Sequence, residues 1–125
     1  MKRMIPLLLS LLLLTGCGRN TSDSSYEQIT QEAAKEMMDA QEVIILDVRE
    51  QDEYDSGHIP GAVLLPVGTI DEDTAADVIP EKDSTVLVYC RSGNRSKTAS
   101  SALADLGYTN IYEFGGINTW PYATE

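Results

Sequence analysis

The stretch Tyr89-Cys90-Arg91-Ser92-Gly93-Asn94-Arg95-Ser96-Lys97 sets one cysteine ahead of two arginines and a lysine, with no acid among them. These are three of only nine basic residues in a chain that carries twenty acids. A cysteine reacts as its thiolate, and cations or helix N-terminal N–H groups lower its pKa from about 8.5 into the range of about 3.5–7.5. The chemistry that suits such a group is attack on an electrophile whose leaving group departs readily as an anion. Two blander readings compete: an inert core cysteine and a partner in an intermolecular disulfide. An inert cysteine leaves three cations crowded into one loop without a reason.

The flanking sequence says how Cys90 is positioned. "TVLVY" (85–89) is a continuous apolar run suited to a strand buried on both faces. Ser96 to Leu106 reads as a helix with Ala99, Ala102, Leu103 and Leu106 on one face and Gly107 as its stop. Cys90 is therefore expected just past a strand, in a loop that feeds a helix N-terminus. Backbone N–H groups and the helix dipole favour an anion there. Gly93 permits a left-handed bend that would curl the loop, Arg91 and Arg95 add full charges, and N–H groups from Ser92 through Asn94 to Ser96 supply the remaining donors. The Ser92 and Ser96 hydroxyls can assist, although serine is also an ordinary turn and cap residue. A thiolate held by fixed dipoles needs no general base.

Other segments complete an alternating pattern. "YEQI" reads as a short first strand, and Thr30 as the N-cap of a helix over "QEAAKEMMDA", with Ala33, Ala34, Met37 and Met38 on its core face. "VIILDV" (43–48) and "AVLLP" (62–66) read as buried strands, "REQDEYDSG" as a helical turn closed by Gly57, and "TIDEDTAADVIP" as a short helix ending before Pro80. "NIYEF" (110–114) is the last strand. Strands alternating with helices imply an α/β fold with a parallel sheet covered on both faces. Asp47 and Arg49 fall at the carboxyl end of a strand and so near the Cys90 loop, and Arg49 can pair with Glu53 at i,i+4. His58, the chain's one histidine, reads as a turn or supporting residue. No second ligand accompanies it, so no metal is expected, and no cofactor motif is present.

The N-terminus carries a different signal. Met1-Lys2-Arg3 followed by "MIPLLLSLLLL" has the length of a signal peptide, short of the ~20 apolar residues of a spanning helix. "LTGC" (14–17) resembles a bacterial lipobox, which implies a signal peptide over 1–16, lipidation of Cys17, a flexible tether over 17–25 and a domain over 26–125. The mature chain would hold seven basic and twenty acidic side chains, a formal charge of −13. That balance argues against nucleic acid and against electrostatic docking on anionic lipid. Membrane attachment would come from the lipid, placing the domain outside the cytoplasm. With Cys17 lipidated, Cys90 is the one free thiol and cannot form an internal disulfide.

"CRSGNRS" resembles the active-site loop of the rhodanese family, with the nucleophilic cysteine first and an arginine closing a six-residue loop. "LDVREQDEYDSGHIPGAVLLP" (46–66) and "GGINTW" (115–120) resemble two further family motifs, in the family's order. The resemblance implies a rhodanese-like three-layer fold, a five-stranded, mostly parallel sheet with helices on both faces. It also implies sulfurtransferase chemistry through a Cys90 persulfide, fed by a small sulfur-containing anion such as thiosulfate or by a protein persulfide. Arg91 and Arg95 would bind the donor, and Asp47 and Arg49 would brace the loop. Cell-cycle phosphatases of the dual-specificity type share this fold, but five residues separate their cysteine and arginine, where this chain has four (91–94). The shorter loop suits a sulfane sulfur better than a phosphoryl group, and the same holds against arsenate reduction. A persulfide carrier or a thiol redox or partner-binding module remains the alternative of a different class. Single-domain relatives commonly continue with a helix where this chain has Pro121 in "PYATE", which puts the last packing element in question.

Overall fold

The computed structural model describes residues 25–125; the signal-peptide, lipobox and tether assignments before Ser25 lie outside them. Five strands, β1 (Glu27–Gln28), β2 (Ile44–Asp47), β3 (Val63–Leu64), β4 (Val86–Cys90) and β5 (Ile111–Gly116), form one sheet in the order β1-β5-β4-β2-β3. All four pairings are parallel. Helices α1 (Gln31–Ala40), α2 (Gln51–Asp55), α3 (Glu72–Val78) and α4 (Asn94–Asp105) connect them, so the α/β expectation holds.

Side-chain alternation on the central strand divides the core in two. Val86, Val88 and Cys90 face one side, where Leu46, Val48, Ala75 and Ile79 meet Ala99 and Leu103 of α4. Leu87 and Tyr89 face the other, against Ala34 of α1, Ile59, Phe114 and Trp120. Residues of a strand with helices on both faces must be apolar on both, which is why "VLVYC" is buried throughout. Thr30 caps α1 by accepting from the Ala33 N–H at 3.0 Å, and Asp71 caps α3 by accepting from the Thr74 N–H at 2.9 Å.

The chain leaves β2 for β3 in one direction along the sheet and leaves β4 for β5 in the other. The carboxyl ends of β2 and β4 therefore flank the point where the connections diverge, which in open α/β sheets opens a crevice for ligands. Asp47 ends one of these strands and Cys90 the other.

Three expectations are corrected. "AVLLP" forms only the two-residue edge strand β3, with Val63 38% exposed, because it lies at the end of the sheet with a single neighbour. Cys90 is the last residue of β4 and pairs with Gly116, rather than standing past the strand. Helix α4 begins at Asn94, two residues before Ser96, because Gly93 takes a left-handed φ of 110° and turns the chain directly into the helix. At the C-terminus a 3₁₀ turn (Ile117–Thr119) buries Trp120 against Phe114, with ring centroids 5.5 Å apart. The Glu125 backbone then exchanges two hydrogen bonds with His58, at 2.7 and 3.0 Å, so the tail packs where a helix was in question.

A polar knot ties the ends of β2 and β4. The fully buried Asp47 carboxylate accepts from the Arg49 N–H, Nε and Nη2 and from the Tyr89 hydroxyl, the last at 2.6 Å. Tyr89 Oη in turn accepts the Ile59 N–H at 3.1 Å, and burial beside Asp47 raises the phenol pKa well above its ordinary value. Tyr89→Phe should strand the Ile59 N–H and remove one donor from Asp47. Urea unfolding is expected to show a loss of about 1–3 kcal/mol, with the fold retained.

Candidate active site

The site is built where β4 ends. Cys90 is 1% exposed, yet its sulfur meets polar atoms. The Gly93 N–H donates to Sγ at 3.0 Å, and Sγ lies 3.4 Å from Ser96 Oγ. Gly93 has no side chain in the way, and its left-handed turn starts α4 without a capping side chain. The unpaired N–H groups of the first helical turn are left to face the sulfur. Burial pushes the Cys90 thiol up, but the Ser96 hydroxyl and the N–H groups of Ser96, Gly93 and Ser92 outweigh it, and the pKa falls below its ordinary value.

A second element fixes this loop from below. A Cβ on Gly116 would stand 2.0 Å from the Arg91 carbonyl oxygen, so the β5 backbone and the loop are packed closer than any side chain allows. The Asn118 N–H donates to that same carbonyl at 3.1 Å. Gln31 of α1 holds the strand end, donating to the Gly116 carbonyl at 2.8 Å. The "GGINTW" motif thus shapes the floor of the cysteine loop. Gly115, at φ 92°, supplies the extra residue of a bulge, so that Val88 pairs with Glu113 but Cys90 pairs with Gly116.

The expected site residues fall into two groups. Arg91, Ser92, Gly93, Asn94, Arg95 and Ser96 surround the sulfur or its mouth, with the Arg91, Ser92 and Asn94 side chains exposed and Ser96 buried. Arg95 does not point freely outward: its Nη1 and Nη2 donate to both oxygens of Glu53, at 2.8 and 3.0 Å. The expected Arg49–Glu53 pair is accordingly absent. Arg49 turns to Asp47 at 2.7 Å and to the Gly57 carbonyl at 2.7 Å, because the buried Asp47 offers two oxygens with no competing water. Asp47 and Arg49 hold the strand ends and the Gly57 turn, and neither makes a hydrogen bond to the cysteine loop among those of the described residues. His58 stacks on Tyr54 at 3.8 Å and donates from Nδ1 to the Tyr54 carbonyl at 2.9 Å, which makes it a turn residue beside the same knot.

Two carboxylates have roles that the sequence reading did not give them, Glu53 having been expected only as a partner of Arg49. Glu53 is held at about pKa 2 by the Arg95 guanidinium and then by the Glu50 N–H. A depressed carboxylate pKa stabilises the folded state fully above the ordinary carboxylate range and loses that contribution only as pH falls toward the folded value. The pair is therefore intact at every pH at which a thiolate is in use. Glu113 is the other, a buried carboxylate beside Ser96.

The arrangement can hold a sulfur anion in fixed donors and present it to an anionic reactant. The fold and this loop define the rhodanese class. The rhodanese-like domain family model matches residues 30–122, and the chain belongs to that family. It is 33% identical over 96 residues to the thiosulfate sulfurtransferase GlpE of Coxiella burnetii, covering 76% of this chain and 87% of that protein. It is 35% identical over 112 residues to YrkF of Bacillus subtilis, a proposed sulfur carrier protein, covering 86% of this chain but only 59% of YrkF. A rhodanese with anions from E. coli superposes with a TM-score of 0.62 at 30% identity, covering 67% of this chain and 98% of that one.

Gly116→Ala should force the loop off the strand. Unfolding should show a loss of about 1–3 kcal/mol from overpacking, and the pH midpoint for alkylation of Cys90 by iodoacetamide should rise toward the free-cysteine value of about 8.5. In the unsubstituted protein the midpoint should lie below that value.

Proposed function

We propose that this chain is a sulfurtransferase that carries sulfane sulfur on Cys90 between a thiosulfate or persulfide donor and a thiophilic acceptor. The observation that carries the proposal is the Cys90 sulfur seated under the Gly93 N–H and the Ser96 hydroxyl, with its pKa lowered. The thiolate attacks the outer sulfur of thiosulfate; a new S–S bond forms, and the old one breaks with its electron pair leaving on sulfite. The terminal sulfur of the resulting persulfide is itself anionic, and N–H groups at the mouth of the loop suit it. An acceptor, cyanide or a thiolate, then attacks that terminal sulfur and returns Cys90 as thiolate, giving ping-pong kinetics.

Arg91, exposed at the mouth, and Arg95 oppose the charge of the donor and of the departing sulfite. The two terminal nitrogens of Arg95 hold Glu53, and among the described residues its Nε–H makes no hydrogen bond. GlpE, named a thiosulfate sulfurtransferase, supports turnover with thiosulfate. YrkF, a proposed carrier, supports a second version in which the persulfide is passed to a protein acceptor with little turnover on small molecules. Attachment to a membrane through a lipid on Cys17, outside the cytoplasm, belongs to the same proposal and rests on the "LTGC" sequence alone.

Intact mass of the fragment lacking residues 1–17 should show a gain of one sulfur atom after thiosulfate, its loss after cyanide, and no gain in Cys90→Ser. No gain in the unsubstituted protein would sink thiosulfate as the donor. Loading from a protein persulfide without steady-state turnover would select the carrier version. Arg95→Gln should lower kcat/KM for thiosulfate by about ten- to hundredfold, the worth of one charge-assisted hydrogen bond, measured by thiocyanate formation.

A further inference from the structure

The sulfur transfer described above makes no use of Glu113, a carboxylic acid only 2% exposed. Alternation along β5 puts it on the α4 side of the sheet with Ile111, inside the core and not on the surface. A carboxylate in such a place costs several kcal/mol unless hydrogen bonds replace its water. Three do so: Gly115 N–H to Oε2 at 3.0 Å, Gln28 Nε2 to Oε1 at 3.2 Å, and Ser96 Oγ to Oε2. The bulge at Gly115 makes the first of these possible by turning that N–H back onto the side chain two residues earlier. Ser96 Oγ also lies 3.4 Å from Cys90 Sγ. One buried hydroxyl therefore bridges the nucleophile and a buried acid.

Counting hydrogens fixes what the bridge can do. A serine hydroxyl has a single hydrogen to donate, and its oxygen can accept. With Cys90 as a thiol, S–H donates to Ser96 Oγ and the Ser96 O–H donates to the Glu113 carboxylate. With Cys90 as a thiolate, the sulfur takes the Ser96 hydrogen, and the Ser96–Glu113 bond survives only if the carboxyl carries the proton. The two states differ by one proton moved between Sγ and Oε2. The S–H bond breaks, Ser96 Oγ gains that hydrogen while passing its own to Oε2, and the net charge of the site stays the same.

We propose that Glu113 is a positioning residue that takes the Cys90 proton through Ser96, so that the thiolate forms without releasing a proton to solvent. It rests on Cys90 being the nucleophile assigned above. It also revises the expectation that fixed dipoles alone suffice for this thiolate. The groups facing the pair are few among the described residues: Gln28 from β1, the Gly93 carbonyl and Ser96 at the start of α4, Lys97 on that same carbonyl at 3.3 Å, and the Arg95 charge acting on Cys90. None of these is an anionic acceptor, so the Glu113 carboxylate is the one group in reach of Ser96 Oγ that the thiol proton can pass to.

The sign of one substitution separates a relay from a bystander. A fixed carboxylate beside a thiolate repels it, so removing a bystander should make the thiolate form at lower pH. Removing the proton acceptor should do the reverse. Glu113→Gln and the unsubstituted protein should be alkylated with iodoacetamide across a pH series. The unsubstituted protein is expected to react at a nearly constant rate through the neutral region. Glu113→Gln is expected to be slower by about tenfold or more near pH 6, where a thiol that must release its proton to solvent is little ionised even with a pKa at the upper end of the lowered range, about 7–7.5, and to catch up at alkaline pH. An equal or faster rate near neutral pH, or a uniform slowing at every pH, would overturn the proposal. If Glu113→Gln does not fold, the unsubstituted protein carries the test. In the neutral region, where the pair holds one proton, the ultraviolet absorbance of the thiolate should be accompanied by an infrared band of a protonated carboxyl, and thiolate absorbance there without that band would refute the relay. Neither measurement uses a sulfur donor, so a chain that fails to accept sulfur from thiosulfate still tests the role of Glu113.

Discussion

The approach of the β5 backbone to the Arg91 carbonyl is the constraint on which the site depends. With no Cβ at Gly116, the loop after β4 settles directly on the end of β5, and the Asn118 N–H takes the Arg91 carbonyl as its acceptor. The loop is then only three residues long, Arg91 to Gly93, before α4 begins. So short a connection has one way to turn, through the left-handed Gly93, and that turn brings the Gly93 N–H to 3.0 Å from the sulfur. Backbone packing at a distance from the cysteine thus places one of the donors that lower its pKa.

The electrostatics are local in a way that net charge conceals. The chain carries −11 overall, yet lowers the pKa of a thiol at its centre. Arg95 does not simply offset this, because Glu53 neutralises it in a bidentate pair that anchors α4 to α2. What remains to stabilise the sulfur is mainly oriented N–H groups and one hydroxyl, which lose little to solvent screening because the sulfur is buried. A dipole-built site of this kind tolerates an acidic surface. A site relying on long-range attraction would not, since the surface field opposes the approach of an anionic donor.

Much of this was legible in the residues. The continuous apolar runs marked β2 and β4, Thr30 marked the start of α1, and a cysteine followed by Gly93 at a strand-to-helix junction marked the nest. The family motifs added the sheet and the order of its parts. Pairing preferences were not legible. Arg49 and Glu53 have suitable spacing on paper, but Asp47 is buried and adjacent while Arg95 arrives from α4, 42 residues away, and local spacing cannot weigh a partner brought by the fold. The short β3 was hidden for a related reason: "AVLLP" has the composition of a core strand, and only the strand order reveals that it lies on an edge. Glu113 did leave a signal, an acid on the inward-facing register of "IYEF" between Ile111 and the glycines. Reading that signal required knowing which face α4 covers.

The two buried polar clusters have a common logic. Asp47, Arg49 and Tyr89 lock the carboxyl end of β2 to that of β4 on one face of the sheet; Cys90, Ser96 and Glu113 join β4, α4 and β5 on the other. Both sit at the point where the chain's connections diverge, and both consist of groups whose partners leave few alternatives. Buried polar groups with satisfied bonds restrict a core to one arrangement, because any slip strands a donor or acceptor. In the first cluster that restriction serves geometry alone. In the second, Ser96 touches the Cys90 sulfur and a buried acid at once, so the proposed proton path runs through a group that the core itself holds in place. Serine suits this position because a hydroxyl both donates and accepts at one atom, whereas alanine would keep the helix and leave sulfur and carboxylate with no group between them.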